Sequence, residues 1–201
     1  DIILLPGSQM GSVQDTFAVN EYQGMLRILT CNDGTSEGTN LYILDDELSL
    51  TGKLEGIAPG ETVYAARYLG DMAYFVTYRN IDPLFAADLS DPANPEILGE
   101  LKITGYSEYL HMWTDGTMFG IGYETDPDSG SREGVKLSMF DISDPANLHT
   151  ADCICITNAD YSPAMDQYKS VLADTSANLI GFIVTEYDRT QNNTYLLFEW
   201  K

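Results

Sequence analysis

The pentapeptide Ser-Asp-Pro-Ala-Asn occurs twice, at residues 90–94 and 143–147, each time behind a short apolar run that ends in aspartate, "LFAAD" and "LSMFD". A repeat of this kind constrains the fold more than composition does, because it implies one supersecondary unit built several times and stacked. Alignment on the acid that closes each run brings out two further copies. Asp45 in "LYILDD", Asp88, Asp141 and Glu199 in "YLLFEW" stand 43, 53 and 58 residues apart, the differences between successive numbers. These spacings are near the roughly 40 to 50 residues of a four-stranded propeller blade, the surplus of the longer two falling in loops.

Helical periodicity is nearly absent, while short β-branched and aromatic runs bounded by Gly, Asp, Asn and Pro fill the chain, from "TFAVNEY" to "TYLLFEWK". Each unit reads as a first strand ("VYAARYLGD", "SEYLHMWTDG", "SPAMDQYK"), a second, a third closed by its acid, and an outer strand ("PEILGELKI", "HTADCICIT") that the last unit lacks. The repeated pentapeptide is then the turn between third and fourth strands. Pro92 and Pro145 fix φ there, and Asp91, Asn94, Asp144 and Asn147 can bond their own backbone. The fold class expected is all-β: a β-propeller of four-stranded antiparallel blades, about four of them. As a single propeller domain or a segment of a larger one, its blades would fall near residues 1–57, 58–104, 105–157 and 158–201. "DIILL" at the start would supply the missing outer strand of a small closed ring. In an arc of a larger ring, open edges and an uncovered blade face would drive self-association. The apolar start and the ending on "YLLFEWK" are those expected of a piece cut from a longer protein.

At 201 residues and 44% hydrophobic content the chain can bury a real core. Its 31 acidic against 10 basic residues give a formal charge of -21, a field that repels phosphate backbones and anionic lipid. Nucleic-acid binding and membrane insertion are not expected, and no apolar run approaches the roughly 20 residues that span a bilayer. Cys31, Cys153 and Cys155 lack a metal-binding or redox spacing and read as buried structural thiols.

From "LYILDDELSL" through "DPLFAADLSDPANPEILGELKI" to "GVKLSMFDISDPAN", the chain resembles a family of secreted bacterial and archaeal proteins with a C-terminal β-propeller domain, distantly akin to WD repeats. The likeness runs from about Phe17 to the C-terminus and thins near Met165 to Ser170, where the family pattern leads one to expect His in place of Tyr168. The resemblance implies a propeller and export to the outside or surface of the cell, and it supplies no catalytic residues.

Few residues invite chemistry. In "ETDPDSGSREG", Asp126, Asp128 and Glu133 have a spacing that would suit a hard cation such as calcium, and equally that of a solvated acidic hairpin. His111 falls in a first strand, the kind that lines a propeller channel, with Tyr109 and Trp113 on its face by alternation; with Arg67 of the preceding unit they would make a site for a small anionic or sugar-like ligand. Tyr106, Tyr109, Trp113 and Tyr123 would stack a sugar ring or serve as core. His149 is expected exposed in a turn, and "NNT" at 192–194 as a polar loop tip. No nucleophile constellation stands out, since two histidines leave few ways to build a triad. The expected role is an extracellular or cell-surface binding scaffold for a protein or an envelope polysaccharide. The alternative is a glycan-acting hydrolase, which two carboxylates converging with aromatics in one pocket would favour.

Overall fold

The computed structural model describes residues 11–31, 38–78, 82–187 and 192–201. Their strands form four sheets in which consecutive strands are hydrogen-bonded antiparallel neighbours. The first contains β1 (Val19–Tyr22), β2 (Met25–Cys31), β3 (Thr39–Leu44) and β4 (Leu50–Ile57). The second contains β5 (Thr62–Leu69), β6 (Met72–Tyr78), β7 (Asp82–Asp88) and β8 (Glu96–Ile103). The third holds β9 (Tyr106–Thr114), β10 (Thr117–Thr125), β11 (Arg132–Asp141) and β12 (His149–Ile156). The fourth has three strands, β13 (Leu172–Asp174), β14 (Leu179–Glu186) and β15 (Asn192–Glu199). This is the all-β propeller architecture that the repeat implies. The chain divides into two compact units, one carrying the first two sheets and the other the last two, with the break inside β8 after Glu100.

In the four-stranded sheets the third strands are buried on both faces, so "TNLYIL" of β3 and "VKLSMF" of β11 are apolar at most positions without a strict alternation. In the first unit one apolar cluster joins both sheets: Leu29, Leu41 and Ile43 from the first, Val63, Phe75, Phe85 and Leu89 from the second. Phe75 and Phe85 are register partners whose rings stack at 5.3 Å.

The repeated turns do what their composition demands. Asp91 Oδ1 accepts from the Ala93 N–H at 3.0 Å and its Oδ2 from the Asn94 amide at 2.9 Å. In the second copy, Asp144 accepts from the Ala146 N–H at 3.2 Å. The acid closing the strand takes part too, Asp88 accepting from Ser90 N and Asp141 from the hydroxyl and N–H of Ser143. The first turn also lies against the neighbouring sheet of its unit: a Cβ on Gly52 of β4 would stand 2.1 Å from the Pro92 carbonyl oxygen, so only glycine fits.

These contacts favour the ionised carboxyl. Asp91 is held below the usual carboxylate range by the Asn94 amide and the Ala93 N–H, Asp141 by the Ser143 hydroxyl and N–H, and Asp174 by the Ser176 hydroxyl and Ala177 N–H. A carboxyl whose folded pKa lies below its unfolded value contributes stability above the unfolded value, and loses it as pH falls through the folded one. The thermal midpoint is therefore expected to fall as pH drops below about 4, and Asp141→Asn to flatten that acid limb; an unchanged limb in the variant would remove the turn from the explanation.

Four expectations are corrected. "SPAMDQYK" is not a strand: Pro163–Met165 and Tyr168–Ser170 are 3-10 turns, and the first strand of the fourth sheet is the short β13. Pro163 offers no N–H to a ladder and suits the first position of a helical turn, where the Ser162 hydroxyl accepts from Ala164 N and donates to the Ile183 carbonyl at 2.6 Å. "TFAVNEY" begins with a 3-10 turn, Thr16–Ala18, because Asp15 accepts from the N–H groups of Phe17 and Ala18. "NNT" opens β15 instead of a loop tip. Of the cysteines only Cys31 is buried; Cys153 is exposed and Cys155 half-buried, because β12 is an outer strand. "DIILL" lies outside the described residues.

Candidate functional site

The third sheet concentrates polar and aromatic side chains at one end. Tyr106 and Glu108 sit on β9, and Tyr123 on β10 is the register partner of Tyr106. Between β10 and β11 the register shifts after Glu124↔Gly134, so that Thr125 faces Arg132. Gly134 makes this irregularity possible, since a Cβ there would stand 2.4 Å from the Ile156 carbonyl oxygen. Arg132 is thereby laid over the Tyr123 ring, its Cζ 3.9 Å from the centroid. Its Nε and Nη2 donate to the Tyr106 hydroxyl at 3.0 and 2.5 Å, and Glu108 Oε1 lies 3.9 Å from Nη2.

Two further acids converge on this end of the unit. The Tyr161 hydroxyl donates to Asp166 Oδ2 at 2.6 Å, and Asp160 Oδ2 accepts from the Tyr187 N–H at 2.7 Å. Burial pushes the Glu108 carboxyl above the ordinary glutamate value; Arg132 opposes the shift, and the negative charge of Asp166 adds to it. Tyr161 is pushed up to about 12, first by its hydrogen bond to Asp166 and then by burial. A cleft of about 200 Å³ opens here, lined by Tyr123, Arg132, Glu133, Gly134, Thr157 and Asp160. It offers guanidinium donors, carboxylate acceptors, a hydroxyl and the edge of an aromatic ring within one small volume.

The residues singled out from sequence disperse. Tyr123 and Glu133 line this cleft, and Tyr106 lies beside it, bonded to Arg132. Tyr109, His111 and Trp113 share a face of β9, as alternation requires, but they close on Phe119. The His111 ring stacks on it at 4.9 Å, Trp113 meets it edge-on at 5.9 Å, and the Tyr109 hydroxyl pairs with His111 Nδ1 at 2.8 Å. Arg67 belongs to the other unit, where its Cζ sits 3.6 Å above the Phe17 ring and its Nη1 donates to the Ala66 carbonyl. Asp126 Oδ1 accepts from the N–H groups of Asp128 and Ser129 and from the Ser129 hydroxyl, folding the acidic hairpin on itself. Among the described residues no group of three or more His, Cys, Asp or Glu is arranged to hold a metal ion. His149 is exposed, at the start of β12 and 3.5 Å from Asp141.

Sequence reasoning missed Arg132, Glu108, Tyr161, Asp160 and Asp166. The signal that could have found them is the lone cation in "SREG" of a chain this acidic, set two residues before a glycine that permits a register shift. A Gly-x-Ser-x-Gly spelling also went unread, in "GTSEG" at Gly34 to Gly38. Ser36 lies outside the described residues, and the segment joins β2 to β3, strand to strand, whereas a nucleophile elbow joins a strand to a helix.

The model of the β-propeller domain family matches residues 6–200. An uncharacterised protein of Methanocaldococcus jannaschii is 42% identical over 172 residues, 84% of this chain and 26% of its own length. One from Archaeoglobus fulgidus is 45% identical over 135 residues, 67% of this chain and 20% of its own. The chain thus spans about a quarter or less of the length of these relatives. A crystal structure of an uncharacterised Listeria monocytogenes protein aligns over 90% of this chain and 49% of its own, with a TM-score of 0.44 and 15% identity. On the match that covers nearly all of it, the chain belongs to the β-propeller domain family.

Proposed function

We propose that this propeller is an extracellular or cell-surface binding scaffold whose recognition surface is the cleft around Arg132, and that its ligand is a neutral polysaccharide. The observation that carries the reading is the mixture in that cleft: a guanidinium held over Tyr123, the carboxylates of Glu133 and Asp160, and the Thr157 hydroxyl. A sugar presents both faces of hydrogen bonding and an apolar ring face, so it uses donors, acceptors and an aromatic edge together. A formal charge of -21 disfavours polyanionic glycans, which leaves neutral chains as the better class. Export rests on the family resemblance, and a rigid ring that displays loops is suited to recognition.

The test is calorimetric titration with neutral and with acidic oligosaccharides. Neutral ones are expected to bind and acidic ones not, with Arg132→Ala weakening binding at least about tenfold, a loss of about 1.4 kcal/mol. Failure of every neutral oligosaccharide, or binding indifferent to Arg132→Ala, would sink the reading. A second reading has one observation in its favour. Glu108 and Asp166 sense one another electrostatically beside Tyr106 and Tyr123, and Glu108 is biased toward its protonated form, as a proton-donating acid of a glycan hydrolase would be. Release of reducing ends from a bound glycan, abolished by Glu108→Gln, would move the protein to that class.

A further inference from the structure

In the first unit the hairpin of β1 and β2, the turn between β5 and β6 and the first Ser-Asp-Pro-Ala-Asn turn end beside one another. They enclose a cavity of about 120 Å³, all of whose lining belongs to that unit. Its polar lining includes Arg27, Asp71 and Ser90, and its apolar lining Met25, Ile43 and Leu89. Asp71 and Ser90 are exposed and stand at the rim; Arg27 is 3% exposed and stands deep.

The Arg27 guanidinium is held in place on all sides. Its Cζ lies 4.8 Å from the centroid of the Tyr22 ring and 4.9 Å from that of Tyr68. Nε and Nη2 donate to Asn20 Oδ1, and Nη1 donates to the Gly70 carbonyl at 2.7 Å. These bonds engage three of its five N–H groups. Among the described residues the other two, one on each terminal nitrogen, meet no acceptor, and a buried donor left unbonded is costly. Asp71 is placed by its backbone, whose carbonyl accepts from the Leu89 N–H at 2.8 Å. Its charge acts on Arg27, yet among the described residues its carboxylate forms neither a hydrogen bond nor an ion pair. A fixed cation and a fixed anion thus share one small cavity without joining.

We propose that this cavity binds a small α-amino acid as its zwitterion, with the carboxylate on Arg27, the ammonium on Asp71 and a short aliphatic side chain against Met25, Ile43 and Leu89. Charge selects the class. A simple anion would be repelled by Asp71 and by a chain of formal charge -21, and a simple cation would be repelled by Arg27. A molecule that carries both charges close together finds a partner at each end, and the Arg27 fork suits a carboxylate. Size selects within the class, since about 120 Å³ is far below the roughly 300 Å³ at which pockets for drug-sized ligands begin. This site lies in the other unit from the cleft around Arg132 and does not depend on the reading of that cleft.

Titration of the 201-residue chain with alanine, followed by amide NMR shifts, tests this, with acetate and ethylammonium as probes that carry one charge each. Alanine is expected to bind with a saturable shift of the Gly70, Asp71 and Ser90 amides, and each single-charge probe at least about tenfold more weakly. Asp71→Asn, an exposed position, is expected to keep the thermal midpoint and to weaken alanine binding at least about tenfold. The absence of alanine binding up to about 10 mM would overturn the proposal, as would saturable shifts confined to other residues. Acetate binding as tightly as alanine would overturn it in favour of an anion site, and ethylammonium doing so in favour of a cation site. Alanine binding unchanged by Asp71→Asn would overturn it as well.

Discussion

Phe75→Ala is expected to lower the stability of the unit that contains it by about 3 to 5 kcal/mol, the range for truncating a buried phenylalanine. Phe75 is wholly buried, stacks on Phe85, and lies in the cluster that ties the first sheet to the second. Alanine removes the ring and leaves a hole that Leu41, Ile43 and Phe85 cannot close without shifting strands held in register on both sides. Urea unfolding should show the midpoint falling while the slope is kept. A loss below about 1 kcal/mol would mean that the two sheets do not depend on this contact, against the range expected for a core phenylalanine.

Lys136→Ala is expected to be comparably severe in the second unit. Lys136 sits in the middle of β11 and is 4% exposed; its ammonium lies 3.0 Å from Glu124 Oε2 and donates to the Thr104 carbonyl. Removing one partner of a buried pair leaves an uncompensated charge, which typically costs about 3 to 5 kcal/mol. The pair itself need not add stability, since its desolvation offsets much of its attraction. Lys136→Met combined with Glu124→Leu should therefore recover most of the loss. If the double variant is as unstable as the single one, the Thr104 carbonyl, and not the carboxylate, is what Lys136 serves.

The propeller was legible because its cause is local and repeated. An apolar run, a closing aspartate and a Ser-Asp-Pro-Ala-Asn turn need only their own residues to form, and the hydrogen bonds of Asp88, Asp91, Asp141 and Asp144 are all made within three positions in sequence. "SPAMDQYK" was misread because its alternation is that of a strand, while Ser162 and Pro163 give it a turn that is tied to β14 through Ile183. The cleft was not legible, because its lining comes from residues 123, 132 to 134, 157 and 160, far apart in sequence, and Arg132 reaches Tyr123 only through the shifted register beside Gly134. Alternation placed Tyr109, His111 and Trp113 on one side of β9 correctly, but it carries no information on Phe119, the ring that they close on.

The contact between Gly52 and the Pro92 carbonyl has a bearing on how the chain is made. On the ribosome β1 to β4 leave the exit tunnel before the turn that lies against β4 does, and before Phe75, Phe85 and Leu89, which share a core with Leu41 and Ile43. The nascent first sheet is thus an unfinished object until residue 93 is free of the exit tunnel. Its maturation is coupled to elongation about forty residues downstream, at the ordinary rate of about 5 to 20 residues per second a wait of a few seconds. A rare codon or a pause site within that interval would lengthen the time for which the apolar face of the first sheet stands open to chaperones.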